Sequence, residues 1–266
     1  MTLGPGINRT ALPKGFFAAG INSGVRKYRP DLGVLYSEFD AVTVGVFTQN
    51  ECKAAPILYC QNILPSKSVR AIVTNSGQAN AATGEEGKQR NLQMAEAVAK
   101  SLNCDQHQVL TASTGVIGVP LAIEKIEEAM PELSSRLVEN AESFALAILT
   151  TDLVPKALTT TINLSEGEVR ITGICKGSGM IHPNMATMLG YLLTDAILPV
   201  EIAQSLLQKV NADSFNMISV DGDTSTNDCV FLMANGAANV AIKTDADMTA
   251  FRRALNEVAQ KLAQSI

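Results

Sequence analysis

Hydrophobic positions in the first third of the chain alternate or cluster with a period of two. The runs "GVLYSE", "AVTVGVFT" and "RAIVTN" are rich in β-branched residues and sit between Gly, Pro and Asn breakers, so each predicts a strand. The period changes after Thr83. "TGEE" matches a capping box, and Leu92, Ala95, Val98, Ala99 and Leu102 recur at helical spacing, which predicts a helix ending near Asn103. "QVLTAS" predicts the next strand, and "TGVIGVP" a glycine-bearing turn into a helix from Pro120 through "LAIEKIEEAM". A second helix is expected over "ENAESFALAIL".

In the second half, "ALTTTINLSEGEVRITGICKG" predicts two strands joined by a tight turn at Glu166 and Gly167, and "TMLGYLL" predicts a buried strand. Helices at "VEIAQSLLQKV" and "DMTAFRRALNEVAQKLAQ" flank an expected strand pair around "DGDTSTND". The last helix is amphipathic, so its apolar face either docks on the preceding sheet or awaits further chain. Hairpins and helical pairs replace strict β-α-β alternation, which argues an α+β fold in layers.

Composition narrows the function. The 266 residues are 46% hydrophobic and 18% charged, enough for one large domain or two modest ones. A net charge of -5 leaves no footprint for nucleic acid or an anionic membrane, so small molecules are the expected partners. The longest uncharged segment, 177–194, contains Gly, Pro, Asn and His and does not read as a membrane helix. Five scattered cysteines (Cys52, Cys60, Cys104, Cys175, Cys229) without a C-x-x-C pair indicate neither a disulfide framework nor a zinc site. A reducing cytoplasm is expected, and the start "MTLGPGINRT" lacks the features of a signal peptide.

The inventory of reactive groups is short. With only His107 and His182, a Ser-His-Asp or Cys-His triad has little to draw on; His107 reads as a solvated loop residue and His182 as a turn residue before Pro183. "DGDTSTND", with Asp221, Asp223 and Asp228, fails as a calcium loop because Thr226 and Leu232 stand where Gly and Glu are needed. It reads as an Asp-rich turn, with support of an active site as the alternative. "KGSG" is no phosphate loop, since its lysine precedes the glycines. "NSGQANAATGEE" either presents backbone N–H groups to an anion or simply makes a turn.

Thr187 stands after Pro183 and Asn184, where an apolar run begins. A hydroxyl needs a base to become a nucleophile, and its own α-amino group, freed by cutting the bond after Ala186, would serve because its pKa lies near 8. On pattern alone, a β-branched residue opening a strand is ordinarily just a strand residue.

The segments "NSGQANAATG", "TASTGVIG", "TTDLVPK", "GICKGSGMIHPNMATMLGYLLTDA" and "SFNMISVDGDTSTND", in that order across nearly the whole chain, resemble the ornithine acetyltransferases of arginine biosynthesis, the glutamate N-acetyltransferases. The resemblance implies self-cleavage between Ala186 and Thr187, with Thr187 then carrying the acetyl group. It implies an oxyanion hole at Thr114 and Gly115, and substrate contacts at Thr151, Lys176 and Thr187. It implies ping-pong transfer of acetyl from N-acetylornithine to glutamate, with release of ornithine. No metal or dissociable cofactor is needed; some members also take acetyl-CoA as a donor, and no residue here decides that.

The implied fold is an α/β sandwich, two sheets between helical layers, similar to the D-aminopeptidase relatives. Residues 1–186 would form the α-chain portion and 187–266 the start of the β-chain, the two halves assembling as a heterotetramer of two α and two β chains. The resemblance also implies sequence beyond Ile266, with a substrate-contacting glutamate and a C-terminal domain lining the site. The competing expectations are a threonine-nucleophile amidohydrolase or aminopeptidase, and an inactive fragment with an unfinished site.

Overall fold

The computed structural model describes residues 10–182 and 188–266. β1 (Phe16–Ile21) pairs antiparallel with β2 (Leu32–Phe47), and the strands expected at 33–38 and 41–48 are both parts of this one sixteen-residue strand. A register shift against the next strand between Tyr36 and Ala41 bends β2, so that its first half joins one limb of the sheet and its second half the other.

α1 (Ala55–Ile63) leads to β3 (Ser66–Gln78), α2 (Gly84–Leu102), β4 (Val109–Val116), α3 (Ile123–Ser135) and α4 (Glu142–Ala147). The chain continues with β5 (Lys156–Leu164), β6 (Gly167–Lys176), β7 (Leu189–Thr194), α5 (Val200–Ala212), β8 (Cys229–Ala234) and α6 (Asp245–Gln264). The sheet order is β4-β3-β2-β8-β7-β6-β5, with parallel pairs at β3/β4 and β7/β8 and antiparallel pairs elsewhere. This is the expected α+β fold in layers.

Alternation along the strands builds the layers. Phe16, Leu35, Ile72 and Leu110 from one limb meet Ile174, Tyr191, Phe231 and Met233 from the other in an apolar interlayer. The opposite face of β1–β4 packs Ala19, Val34 and Val73 under Met94 and Val98 of α2 and Ile126 of α3. The opposite face of β6–β8 packs Ile171, Leu192 and Leu232 under Leu207 of α5 and Phe251, Leu255 and Val258 of α6. The apolar face of the last helix is therefore covered by the sheet. Across the interlayer, fully buried Tyr191 lies edge-on to Phe144, ring centroids 5.1 Å apart, and its hydroxyl meets Thr74 Oγ1 at 2.7 Å.

Several expectations are corrected. The Thr83 hydroxyl donates to Asn80 Oδ1 at 2.9 Å and does not cap α2, which ends at Asn103 in a left-handed conformation. The helix after Pro120 starts only at Ile123 and runs past Pro131, and the helix expected over 139–149 is confined to Glu142–Ala147. The strand pair around 221–228 is a loop followed by the single strand β8; competition from Asp, Ser and Asn side chains for backbone partners keeps that segment out of the ladder. β1 and α1 were not anticipated: in α1 the buried set Ala55, Pro56, Ile57 and Cys60 carries almost no amphipathic signal.

Candidate active site

The parallel strands β3 and β4 run side by side to their ends, where Gly77 pairs with Gly115. Gly115 holds φ +132°, and a Cβ there would lie 2.3 Å from the carbonyl carbon of Gly77, so only glycine fits this approach. Beyond these ends lies a cavity of about 650 Å³. Its lining brings together Thr114 and Gly115 of β4, Thr151 from the turn before β5, and Lys176 at the end of β6. Four expected site residues, drawn from three parts of the chain, thus share one cavity. Ala186 and Thr187 lie outside the described residues.

Lys176 is 3% exposed, and its Nζ donates to Thr114 Oγ1 at 3.1 Å. Burial pushes the ammonium's pKa down, against the pull of Asp152 and, more weakly, Asp228. Asp152 Oδ1 accepts from Lys156 Nζ and from the Gly177 N–H, each at 2.7 Å, and its Oδ2 accepts from the Thr150 N–H at 3.2 Å. Burial alone would raise this carboxyl, but these donors and the Lys176 charge outweigh it and hold it below the usual range. Asp152 therefore fastens the Thr150–Thr151 turn to the end of β6.

The loop "DGDTSTND" acts as support for the site. Asp221 Oδ2 accepts from the Met180 N–H at 2.6 Å and its Oδ1 from the Ile181 N–H at 2.8 Å, which keeps its pKa low. Buried Asp228 accepts from the Met188 N–H at 3.0 Å; burial pushes its carboxyl well up, opposed by the Ser225 hydroxyl, that N–H and Lys176. One loop thus grips the described chain on both sides of 183–187. Asn227 ties the loop to the strand ends, its Nδ2 donating to the carbonyls of Ala79 at 2.6 Å and Ser113 at 2.9 Å.

His107 is exposed, as expected, but sits in a single 3₁₀ turn, Gln106–Gln108, in place of the expected loop, and His182 is exposed with Nδ1 3.4 Å from Ser219 Oγ. "NSGQANAATGEE" makes a turn: Asn80 and Ala82 adopt left-handed backbone and Asn80 Nδ2 donates to the Gly87 carbonyl at 2.9 Å, while Gly77 and Ala79 line the cavity. Sequence reasoning missed Arg26, Asp152 and Asn227. Arg26 carried no local signal, whereas Asp152 stands inside the quoted "TTDLVPK" and Asn227 inside "DGDTSTND". No helix among the described residues is long and apolar enough to cross a membrane.

The layered fold is shared with an L-aminopeptidase D-Ala-esterase/amidase from Ochrobactrum anthropi, described as a variant of the Ntn hydrolase fold; the two agree with a TM-score of 0.59 over 100% of this chain and 87% of that one, at 10% identity. A β-aminopeptidase from Burkholderia agrees equally well, with a TM-score of 0.59 at 13% identity. Sequence places the chain more narrowly: the ArgJ family matches residues 17–266, and the chain belongs to that family.

The arginine biosynthesis bifunctional protein ArgJ of Thermotoga neapolitana is 46% identical over 260 residues, covering 96% of this chain and 65% of the relative. The chloroplastic protein of the same name from Zea mays is 46% identical, covering 95% of this chain and 56% of the relative. The chain therefore spans less than two thirds of the length of these relatives. Solved structures of ArgJ from Bacillus halodurans and of ornithine acetyltransferase complexed with ornithine from Mycobacterium tuberculosis are 36% and 33% identical, with TM-scores of 0.64 and 0.61. They cover 68% and 66% of this chain and 96% of their own.

Proposed function

We propose that the chain carries the threonine-nucleophile half of an acetyltransferase that moves the acetyl group of N-acetylornithine to glutamate, after cleaving itself between Ala186 and Thr187. The observation that carries this reading is the single cavity joining Thr114, Gly115, Thr151 and Lys176, with the supporting loop bonded to Met180 and Ile181 before Thr187 and to Met188 after it. The solved ornithine acetyltransferase and ArgJ chains match about two thirds of this chain and nearly all of their own, a length close to that of the segment preceding Thr187.

In the proposed cycle, the Thr187 hydroxyl attacks the acetyl carbonyl while its α-amino group takes the proton. The tetrahedral oxyanion is met by Thr114 and Gly115. The carbon–nitrogen bond breaks, the proton passes to the departing amine, and ornithine leaves an acetyl-threonine ester. The amine of glutamate then attacks that ester by the reverse sequence. Lys176 binds the carboxylate shared by both amino acids, and Thr151 contacts substrate beside it. Acetyl-CoA would enter as a second donor to the same hydroxyl; no dissociable cofactor takes part.

In this reading residues 1–186 and 187–266 become an α-chain and the start of a β-chain that pair as a cytoplasmic heterotetramer. A threonine-nucleophile amidohydrolase is the second reading, favoured by the fold shared with the aminopeptidases. Glutamate-dependent ornithine release separates the two.

The test is the intact mass of the purified chain beside a Thr187→Ala control. Two fragments divided before Thr187, with the control uncut, are expected. A cleaved control, or one still releasing ornithine from N-acetylornithine, would overturn the assignment of Thr187.

A further inference from the structure

The cavity holds a cation that the transfer chemistry does not use. Arg26 lines its wall, and its position is built in. Buried Asp31 accepts from the N–H groups of Ser23 at 2.7 Å and Arg26 at 2.6 Å and from the Ser23 hydroxyl at 2.7 Å, while Asn22 Nδ2 donates to the carbonyls of Arg26 and Arg29. Arg26 Nη1 donates to the Leu149 carbonyl at 2.6 Å. The side-chain stem crosses Gly77, where a Cβ would lie 2.9 Å from Arg26 Cγ.

Asp31 acts on Arg26, and Asp152 and Asp228 on Lys176, from a distance and without pairing. Among the described residues no carboxylate lies within ion-pair distance of the Arg26 guanidinium or of the Lys176 ammonium. Partial burial and the neighbouring Arg29 both disfavour the charge of Arg26, and Asp31, already bonded to backbone N–H groups, only partly offsets them. Asp221 and Asp223 also line the cavity, Asp221 engaged by the Met180 and Ile181 N–H groups, and neither pairs with these cations; two unpaired cations on one cavity wall can each receive a carboxylate of a ligand that carries two.

We infer that Arg26 selects the acetyl acceptor, pairing its guanidinium with the side-chain carboxylate of glutamate while Lys176 holds the α-carboxylate. The inference rests on the acetyl-transfer reading and names the specificity determinant of its second half. N-acetylornithine and ornithine have one carboxylate and need only Lys176; glutamate has two. With Nη1 engaged by Leu149, the Nε and Nη2 edge of the guanidinium remains for a bidentate contact. Arg26 thus acts on acceptor binding and takes no part in the first half-reaction, in which Thr187 is acetylated and one ornithine is released per site.

Calorimetric titration of the intact chain with glutamate, with norvaline, which replaces the side-chain carboxylate by an apolar end, and with ornithine provides the test. The parent chain is expected to prefer glutamate to norvaline by about tenfold or more. Arg26→Gln should abolish that preference by weakening glutamate alone, and Arg26→Lys should restore part of it. Equal loss for all three ligands, no loss for glutamate, or a parent with no preference would each overturn the inference. Ornithine release from N-acetylornithine is followed in parallel: its absence beside an intact glutamate preference counts against the acetyl-transfer reading, and its presence without that preference counts against Arg26 alone.

Discussion

Lys176 Nζ donates to Thr114 Oγ1 across 3.1 Å, joining the last residue of β6 to the strand whose end offers the proposed oxyanion hole. The two residues stand 62 positions apart in sequence, on strands at opposite limbs of the sandwich. The contact fixes the hydroxyl's donor direction, because an ammonium can only donate and Thr114 must then turn its own hydrogen elsewhere. In a cavity that is to receive an oxyanion, that freed hydrogen is the useful one.

Burial holds the folded-state pKa of Lys176 below its ordinary 10.5. The unfolded chain therefore binds more protons between those two values, and folding stability due to this residue rises with pH across that window. Urea unfolding of the chain and of Lys176→Met at a series of pH values up to 10.5 checks this. The parent should gain on the variant as pH rises; a difference independent of pH would show that the lysine is not perturbed.

Gly115→Ala places a methyl 2.3 Å from the Gly77 carbonyl carbon at a backbone conformation that alanine avoids. The loss of stability should exceed about 2 kcal/mol, since strain and a clash with backbone add. Denaturant unfolding of the variant gives the value. A near-neutral result would mean that the β3 and β4 ends separate at little cost and are not a rigid wall of the cavity.

Asp221→Ala removes the carboxylate that accepts from the Met180 and Ile181 N–H groups while leaving the layered core untouched. Self-cleavage, followed by intact mass over time, should slow by about tenfold or more, because a peptide held out of attacking geometry reacts less often. The thermal midpoint should barely move, as the side chain is exposed. Unchanged cleavage would remove the loop from any role in positioning residues 180–182.

The periodicities determined much of the architecture. α2, α5, α6 and the β5–β6 hairpin fell where the pattern put them, because a period of 3.6 or 2 states which face of an element must be buried, although the hairpin turn is made by Ser165 and Glu166, one residue before the expected Glu166 and Gly167. The family resemblance, carried by the quoted segments, also named Thr114, Gly115, Thr151 and Lys176, all of which reached the cavity. β1 and α1 escaped because alternation is short in the first and nearly absent in the second. The capping box at Thr83 failed because Asn80 offers the hydroxyl an acceptor that a local rule does not see.

What the sequence determined by itself is therefore which residues seek burial, where the chain turns, and which side chains carry chemistry. Only the tertiary structure decided that β2 would bend to serve both limbs, that β3 would lie parallel to β4 and β7 parallel to β8, and that Arg26 and Asn227 would face the same space as Lys176, with Asp152 bonded to the Gly177 N–H beside it. Side-chain period fixes a face but not a neighbour. The choice of strand partner is made by contacts between distant segments, where packing of the interlayer must outweigh the entropy of closing long loops.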